Sequence, residues 1–257
     1  MTEPLSLAGR TGIVTGLANE DSIAFGCARA LHNAGADLIL SYGHPKGEPH
    51  VRPLAEQLGD PPLILCDVRE QDQLEALFGA AEQRWGRLDF VIHSMAFAPR
   101  DDLHGRVVDS SREGFLLAMD ISCHSFMRMA RLAEPLMKEG GCLITMSYYG
   151  AEKVVDNYGI MGPVKAALEA SVRYMAEELG PAGIRVHAIS PGPIATRAAS
   201  GIQDFDQLLH QAEERAPTRR LVTIDEVGTT ARFLISDAAR SITGVTTHVD
   251  GGLHVRA

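Results

Sequence analysis

Short apolar runs recur along the chain, each followed by a segment with helical periodicity. TGIVTG predicts a strand and SIAFGCARALHNAG a helix ending at Gly35. DLILSY, PLILCDV, LDFVIHS, GCLITMS, IRVHAIS and GVTTHVDGG predict further strands. PHVRPLAEQLG, DQLEALFGAAEQRWG, a long stretch near 113–139, the run after Lys165, DFDQLLHQAEERA and VTIDEVGTTARFLISD predict the intervening helices. The strands are β-branched runs rather than apolar–polar alternations, as expected of strands buried on both faces. Strand–helix alternation throughout predicts an α/β fold: a doubly wound parallel sheet of Rossmann type, with helices on both faces. A closed barrel of alternating strands and helices is the competing arrangement. There is no internal repeat, low-complexity tract or linker, so a single domain over 1–257 is expected.

An open parallel sheet binds ligands beyond the carboxyl ends of its strands. That rule directs attention to Gly16–Ile23, Gly43, Asp67, Ser94–Ala98, Ser147–Tyr158 and Pro191–Ala198. The first βα turn, TGLANEDSIAFG, lacks the GxGxxG spacing. Its physics still suits a pyrophosphate: Gly16 permits a sharp turn, Asp21 or Ser22 caps the next helix, and the helix start presents amides. An ordinary capped βα turn would read the same way. The second strand ends at SYGHPKGE, with Gly43 where an acid would hold the ribose hydroxyls of NAD; His44, Lys46 and Arg52 are candidates for a 2′-phosphate. Asp67 and Val68 close the third strand, where the acid would meet an adenine edge or cap the following helix.

Tyr158 and Lys165 stand seven residues apart at the head of an alanine-rich helix. On a helix that spacing puts both on one face. A phenol beside an ammonium is a poised proton donor or oxyanion stabiliser. Composition narrows the classes. Hydrophobic residues make up 45% and charged residues 22%, which fits a globule with a substantial core, and the net charge of −9 opposes a nucleic-acid surface. No apolar run is long enough to span a bilayer, and MTEPLSLAGRTGIV has no basic stretch followed by a long apolar one, so a cytoplasmic protein is expected. Cys27, Cys66, Cys123 and Cys142 form no close pair, and the 10 histidines show no ligand spacing; buried thiols and no metal are expected.

With GLANEDSIAFG, CDV, VIHSMAFAP, the Tyr158–Lys165 segment and SPGPIATRAASGI in view, the chain resembles the short-chain dehydrogenase/reductase superfamily over nearly its whole length. Within it the chain is similar to the divergent branch of bacterial enoyl-[acyl-carrier-protein] reductases. The commoner branch places its tyrosine four residues before the lysine, where this chain has Met161, which cannot donate a proton. Tyr149 and Lys153 match that spacing, but no helical run follows Lys153.

The resemblance implies NAD(H)-dependent reduction of a trans-2-enoyl thioester, with NADP(H) not excluded. It implies a homotetramer and an acyl-carrier-protein substrate. Tyr158 and Lys165 would be catalytic, with Tyr148 a second tyrosine lining the substrate site beside Ala98. Gly16, Ser22, Ile23, Gly43, Asp67, Val68, Ser94, Met95, Lys165, Ile194 and Thr196 would hold the dinucleotide, and Gly192 and Pro193 would shape the backbone beside it. A mobile lid is expected over about 194–212. Pro163 restricts the tyrosine's helix to one that begins near Tyr158, because proline is tolerated only in a first turn. The helix DFDQLLHQAEERA offers Gln203, Asp206 and Gln207 where basic residues would suit an acidic carrier; docking would then use other groups, Arg197 among them, or another thioester such as coenzyme A. Two readings compete: a carbonyl or alcohol oxidoreductase, and a dinucleotide-binding regulator without turnover.

Overall fold

The computed structural model describes residues 5–196, 199–201 and 203–256. Its elements run β1 (Thr11–Leu17), α1 (Ile23–Asn33), β2 (Asp37–Tyr42), α2 (Glu48–Glu56), β3 (Leu63–Leu65), α3 (Gln71–Trp85), β4 (Phe90–His93), α4 (Arg100–His104) and α5 (Arg112–Met119). They continue with α6 (Ser125–Ala133), β5 (Gly141–Met146), α7 (Met161–Leu179), β6 (Ile184–Pro191), α8 (Phe205–Arg215), α9 (Ile224–Ile235) and β7 (Thr246–Val249), joined by short 3₁₀ turns. The strands form one seven-stranded sheet in the order β3-β2-β1-β4-β5-β6-β7. Every pairing is parallel. The open sheet rules out the closed barrel.

Alternate strand residues feed two cores. Ile13, Val91, Leu143 and Val186 pack under α3, α5–α6 and α7. Val14, Phe90, Ile92 and Ile144 pack under α1, α2 and α9. Both faces are therefore apolar, which is why the strands read as continuous hydrophobic runs. The chain order reverses between β1 and β4, and the crevice at their carboxyl ends is the binding position such sheets offer.

Two sequence expectations need correction. The long helix near 113–139 is α5 and α6 joined through a π-turn over Asp120–His124 and closed by a 3₁₀ turn over Glu134–Leu136. A π-turn inserts one residue without disturbing the apolar stripe enough to show in the pattern. Tyr158, placed above on a helix face, lies before α7, which begins at Met161. Left-handed conformations at Asn157 (φ 59°) and Gly159 (φ 50°) turn the chain there. Pro163 sits in the first turn of α7, where its missing amide has no intrahelical partner to lose.

Candidate active site

The ends of β1 and β4 meet at Gly16, which has φ +91°; a Cβ there would stand 2.1 Å from the Ser94 carbonyl oxygen. Only glycine suits both the conformation and the contact. Ser22 precedes α1 but makes no side-chain cap; its hydroxyl donates to the Asn19 carbonyl at 2.7 Å. The first amides of α1 therefore have no side-chain acceptor of their own, the arrangement that receives a phosphate. Asn19 Oδ1, on the same loop, is buried without a hydrogen-bond partner among the described residues. The loop thus fits the pyrophosphate of a dinucleotide.

The other candidates border the same crevice. Ile23 opens α1 and packs on the α1/α9 core, as does Ile194 after β6. Gly43 follows β2 directly, exposed. Val68 is buried, and Met95 and Ala98 line the α7-side core. Thr196 Oγ1 accepts from the Ala199 amide at 3.1 Å. Asp67 does not cap α3; Arg69 grips both of its carboxylate oxygens at 3.0 and 2.5 Å and holds the carboxyl below its usual range. Glu70, not Asp67, precedes α3. Arg52, a candidate for a 2′-phosphate, is paired with Glu48 at 2.7 Å, and Glu48 also accepts from the Tyr42 hydroxyl at 3.0 Å. Of the segment expected to form a lid, Arg197, Ala198 and Ile202 lie outside the described residues. Its neighbours are held from two sides: His104 bonds the Gly201 carbonyl and Asn157 donates to the Gln203 carbonyl.

Tyr158 is 8% exposed and meets Tyr148 edge to face, with ring centroids 4.9 Å apart. Burial pushes both phenols up, so both stay protonated and donate rather than ionise. Lys165, on the first turns of α7, is buried and donates to the Met146 carbonyl at 2.6 Å. Burial lowers its pKa to about 8, which leaves it a cation at neutral pH. Met161, at the position a donor takes in the commoner branch, is buried in the core. Lys153 instead reaches the carbonyls of His254 and Arg256, away from Tyr158.

Several groups escaped the sequence reading. Glu169, one turn beyond Lys165, accepts from Ser147 Oγ at 2.5 Å, and burial raises its pKa. It acts electrostatically on both Tyr158 and Lys165. An acid four residues after the lysine on an otherwise apolar helix face was the available signal. Ser122, in the π-turn, accepts from the Phe97 amide at 2.9 Å and donates to its carbonyl at 3.1 Å; nothing in the pattern marks it. All four cysteines are buried and unpaired. A recess of about 490 Å³ lined by His32, Asp37, Arg52, Asp60 and Arg84 opens at the amino-terminal ends of β2 and β3 and shares no residue with the Tyr158 site.

A doubly wound sheet with an amide-rich first turn and a buried tyrosine and lysine at its carboxyl edge defines a dinucleotide-dependent oxidoreductase of the short-chain class. The family model described as Enoyl-(Acyl carrier protein) reductase matches residues 16–254, and the chain belongs to that family. It is 52% identical over 251 residues to the Bacillus cereus protein named Enoyl-[acyl-carrier-protein] reductase [NADH] FabI, covering 97% of this chain and 98% of that one. The Escherichia coli (strain K12) protein of the same name is 46% identical over 252 residues, covering 98% and 96%. Among solved structures, the Bacillus cereus enoyl-acyl carrier protein reductase with NADP+ and indole naphthyridinone superposes with a TM-score of 0.95 at 50% identity, covering 98% of each chain. The Anaplasma phagocytophilum reductase in complex with NAD gives 0.94 at 47% identity, covering 99% and 97%.

Proposed function

We propose that this protein reduces the trans-2 double bond of enoyl thioesters carried on acyl carrier protein, with NADH as reductant, in fatty acid biosynthesis. The observation that carries the reading is buried Tyr158 edge to face with half-buried Tyr148 just past β5, together with buried Lys165 held at the Met146 carbonyl that ends β5, in a chain of the enoyl-acyl carrier protein reductase family.

Reduced nicotinamide, when bound, supplies the hydride that C3 of the substrate receives. The π electrons of the double bond then move onto the thioester oxygen as an enolate. Tyr158, kept neutral by burial, donates a hydrogen bond to that oxygen, a contribution of about 2.7–4 kcal/mol for a donor of this kind. Lys165 places positive charge beneath the site and offers its ammonium to the nicotinamide ribose hydroxyls. Tyr148 packs against the Tyr158 ring and fixes its angle. Protonation of C2 from solvent completes the saturated thioester. Gly16, Ser22 and Ile23 receive the pyrophosphate, Gly43, Asp67 and Val68 border the adenosine, and Ser94, Met95, Ile194 and Thr196 flank the nicotinamide end. Ala98 lines the acyl channel.

NADH is favoured over NADPH by the family, and Arg52, on α2, is paired with Glu48 rather than free for a 2′-phosphate. The exposed side of α8 carries Asp206, Glu213 and Glu214, so an acidic carrier docks elsewhere on the rim. The family resemblance supports a homotetramer. Exposed Val154 (96%) and Tyr174 (73%) are apolar surface that contact between copies would cover. No helix among the described residues is long and apolar enough to cross a membrane. The segment from 194 to about 212 acts as the lid. The test is to follow reduced-nicotinamide absorbance with NADH and NADPH separately, offering a crotonyl group on carrier protein and on coenzyme A. Consumption of NADH dependent on the carrier-bound substrate is expected; cofactor binding without consumption overturns the reading.

A further inference from the structure

His93 ends β4, immediately before the Ser94–Ala98 loop, and is fully buried. It lies opposite Thr145 in the β4–β5 register. Its Nδ1 is 2.8 Å from Thr145 Oγ1, and its Nε2 is 2.8 Å from Ser125 Oγ. Ser125 Oγ is in turn 2.6 Å from the Ile121 carbonyl oxygen.

These distances fix the direction of the chain. A carbonyl only accepts, so the single Ser125 hydroxyl proton goes to Ile121. Ser125 Oγ must then accept from His93, which puts the ring proton on Nε2. Nδ1 keeps its lone pair and accepts from Thr145. The ring is uncharged: burial and the nearby Lys165 cation hold its pKa down to about 3.

The anchored partner is the π-turn. Ile121 lies within it and Ser125 directly follows it. The same turn reaches both sides of the site. Ser122 clamps Phe97 through the amide and carbonyl, and Cys123 lies within electrostatic reach of Lys165. A π-turn is a rare single-turn interruption of a helix that marks functional sites often. His93 supplies an external hold on this turn.

We propose that His93, as the neutral Nε2–H tautomer, is a positioning residue for the reductase: it ties the ends of β4 and β5 to the π-turn and so sets the Ser94–Ala98 loop and the surroundings of Lys165. The role in turnover rests on the function proposed above; the tautomer and the nucleotide affinity do not.

Two measurements on the whole protein test it. In ¹⁵N-histidine-labelled protein, the imidazole whose signals vanish in His93→Gln should keep a protonated Nε2 and an unprotonated Nδ1 from about pH 5 to about pH 8 without titrating. A protonated Nδ1, or titration in that range, overturns the assignment. By calorimetry, His93→Phe and the milder Ser125→Ala should each weaken NADH binding about tenfold, while His93→Gln, which keeps a donor at the Nε2 position, should recover most of it. Variants that lower Tm but leave NADH affinity of the folded protein unchanged would reduce His93 to a packing residue. A wild-type protein that binds NADH yet reduces no enoyl thioester removes the proposed function alone.

Discussion

The two faces of the sheet stand on similar apolar strand residues but are covered in different ways. Beneath α1 and α9 the contact is backbone on backbone: a Cβ on Gly228 would lie 2.3 Å from the Gly26 carbonyl oxygen, and one on Gly26 would lie 2.4 Å from that of Ile224. Beneath α7 and the π-turn, bonded polar groups run through the core: His93, Thr145, Ser125, Ser122, Lys165, and Glu169 with Ser147. One face is held by close shape and tolerates no added atom. The other gives up some apolar packing to fix donors and charges where the crevice opens. Buried polar groups in fully satisfied networks rigidify a site, and here they concentrate on the side that carries Tyr158.

The α1/α9 face should break most completely. Gly228→Val should cost about 3 kcal/mol or more by forcing the two helices apart, visible as a large fall in Tm or as loss of folded protein. A Tm within a few degrees of wild type would contradict the close-contact account.

The next effect contrasts two buried histidines. Strand alternation puts His187 on the α9 side, where its ring makes no hydrogen bond to a side chain among the described residues, unlike that of His93. Burial, with Arg185 nearby, lowers the His187 pKa from 6.5 to about 4. The unfolded chain then takes up a proton at a pH where the fold does not, so stability falls as pH drops below 6.5 and continues to fall until about 4. The loss from this residue is on the order of 3 kcal/mol. His187→Leu should narrow the stability gap between neutral and mildly acidic solution, measured by denaturant unfolding at both. An unchanged gap would mean that the ring titrates normally.

The smallest effect lies at the start of α9. Thr223 and Glu226 form a reciprocal capping box. Thr223→Ala should cost about 1 kcal/mol with turnover unchanged.

The strand runs and most of the helices between them were legible because buried parallel strands and amphipathic helices leave strong periodic signals. Strand order was not, since it depends on contacts distant in sequence. The Tyr158–Lys165 pair was legible for a partly mistaken reason. Seven-residue spacing suggested a shared helix face, whereas the left-handed turn at Asn157 and Gly159 delivers the tyrosine from outside the helix. The N-Y-G triplet carried that turn signal. The Asp67–Arg69 pair was not legible because the two residues are neighbours on a loop with no regular geometry to predict. The His93–Ser125 link spans 32 residues and a π-turn, and no local pattern encodes it.

Single-turnover NADH oxidation on a crotonyl thioester, comparing wild type with Tyr158→Phe, bears most directly on the oxyanion role. The account predicts a drop of about 10²–10³-fold in rate with NADH affinity preserved. An undiminished rate would mean that another donor faces the thioester oxygen.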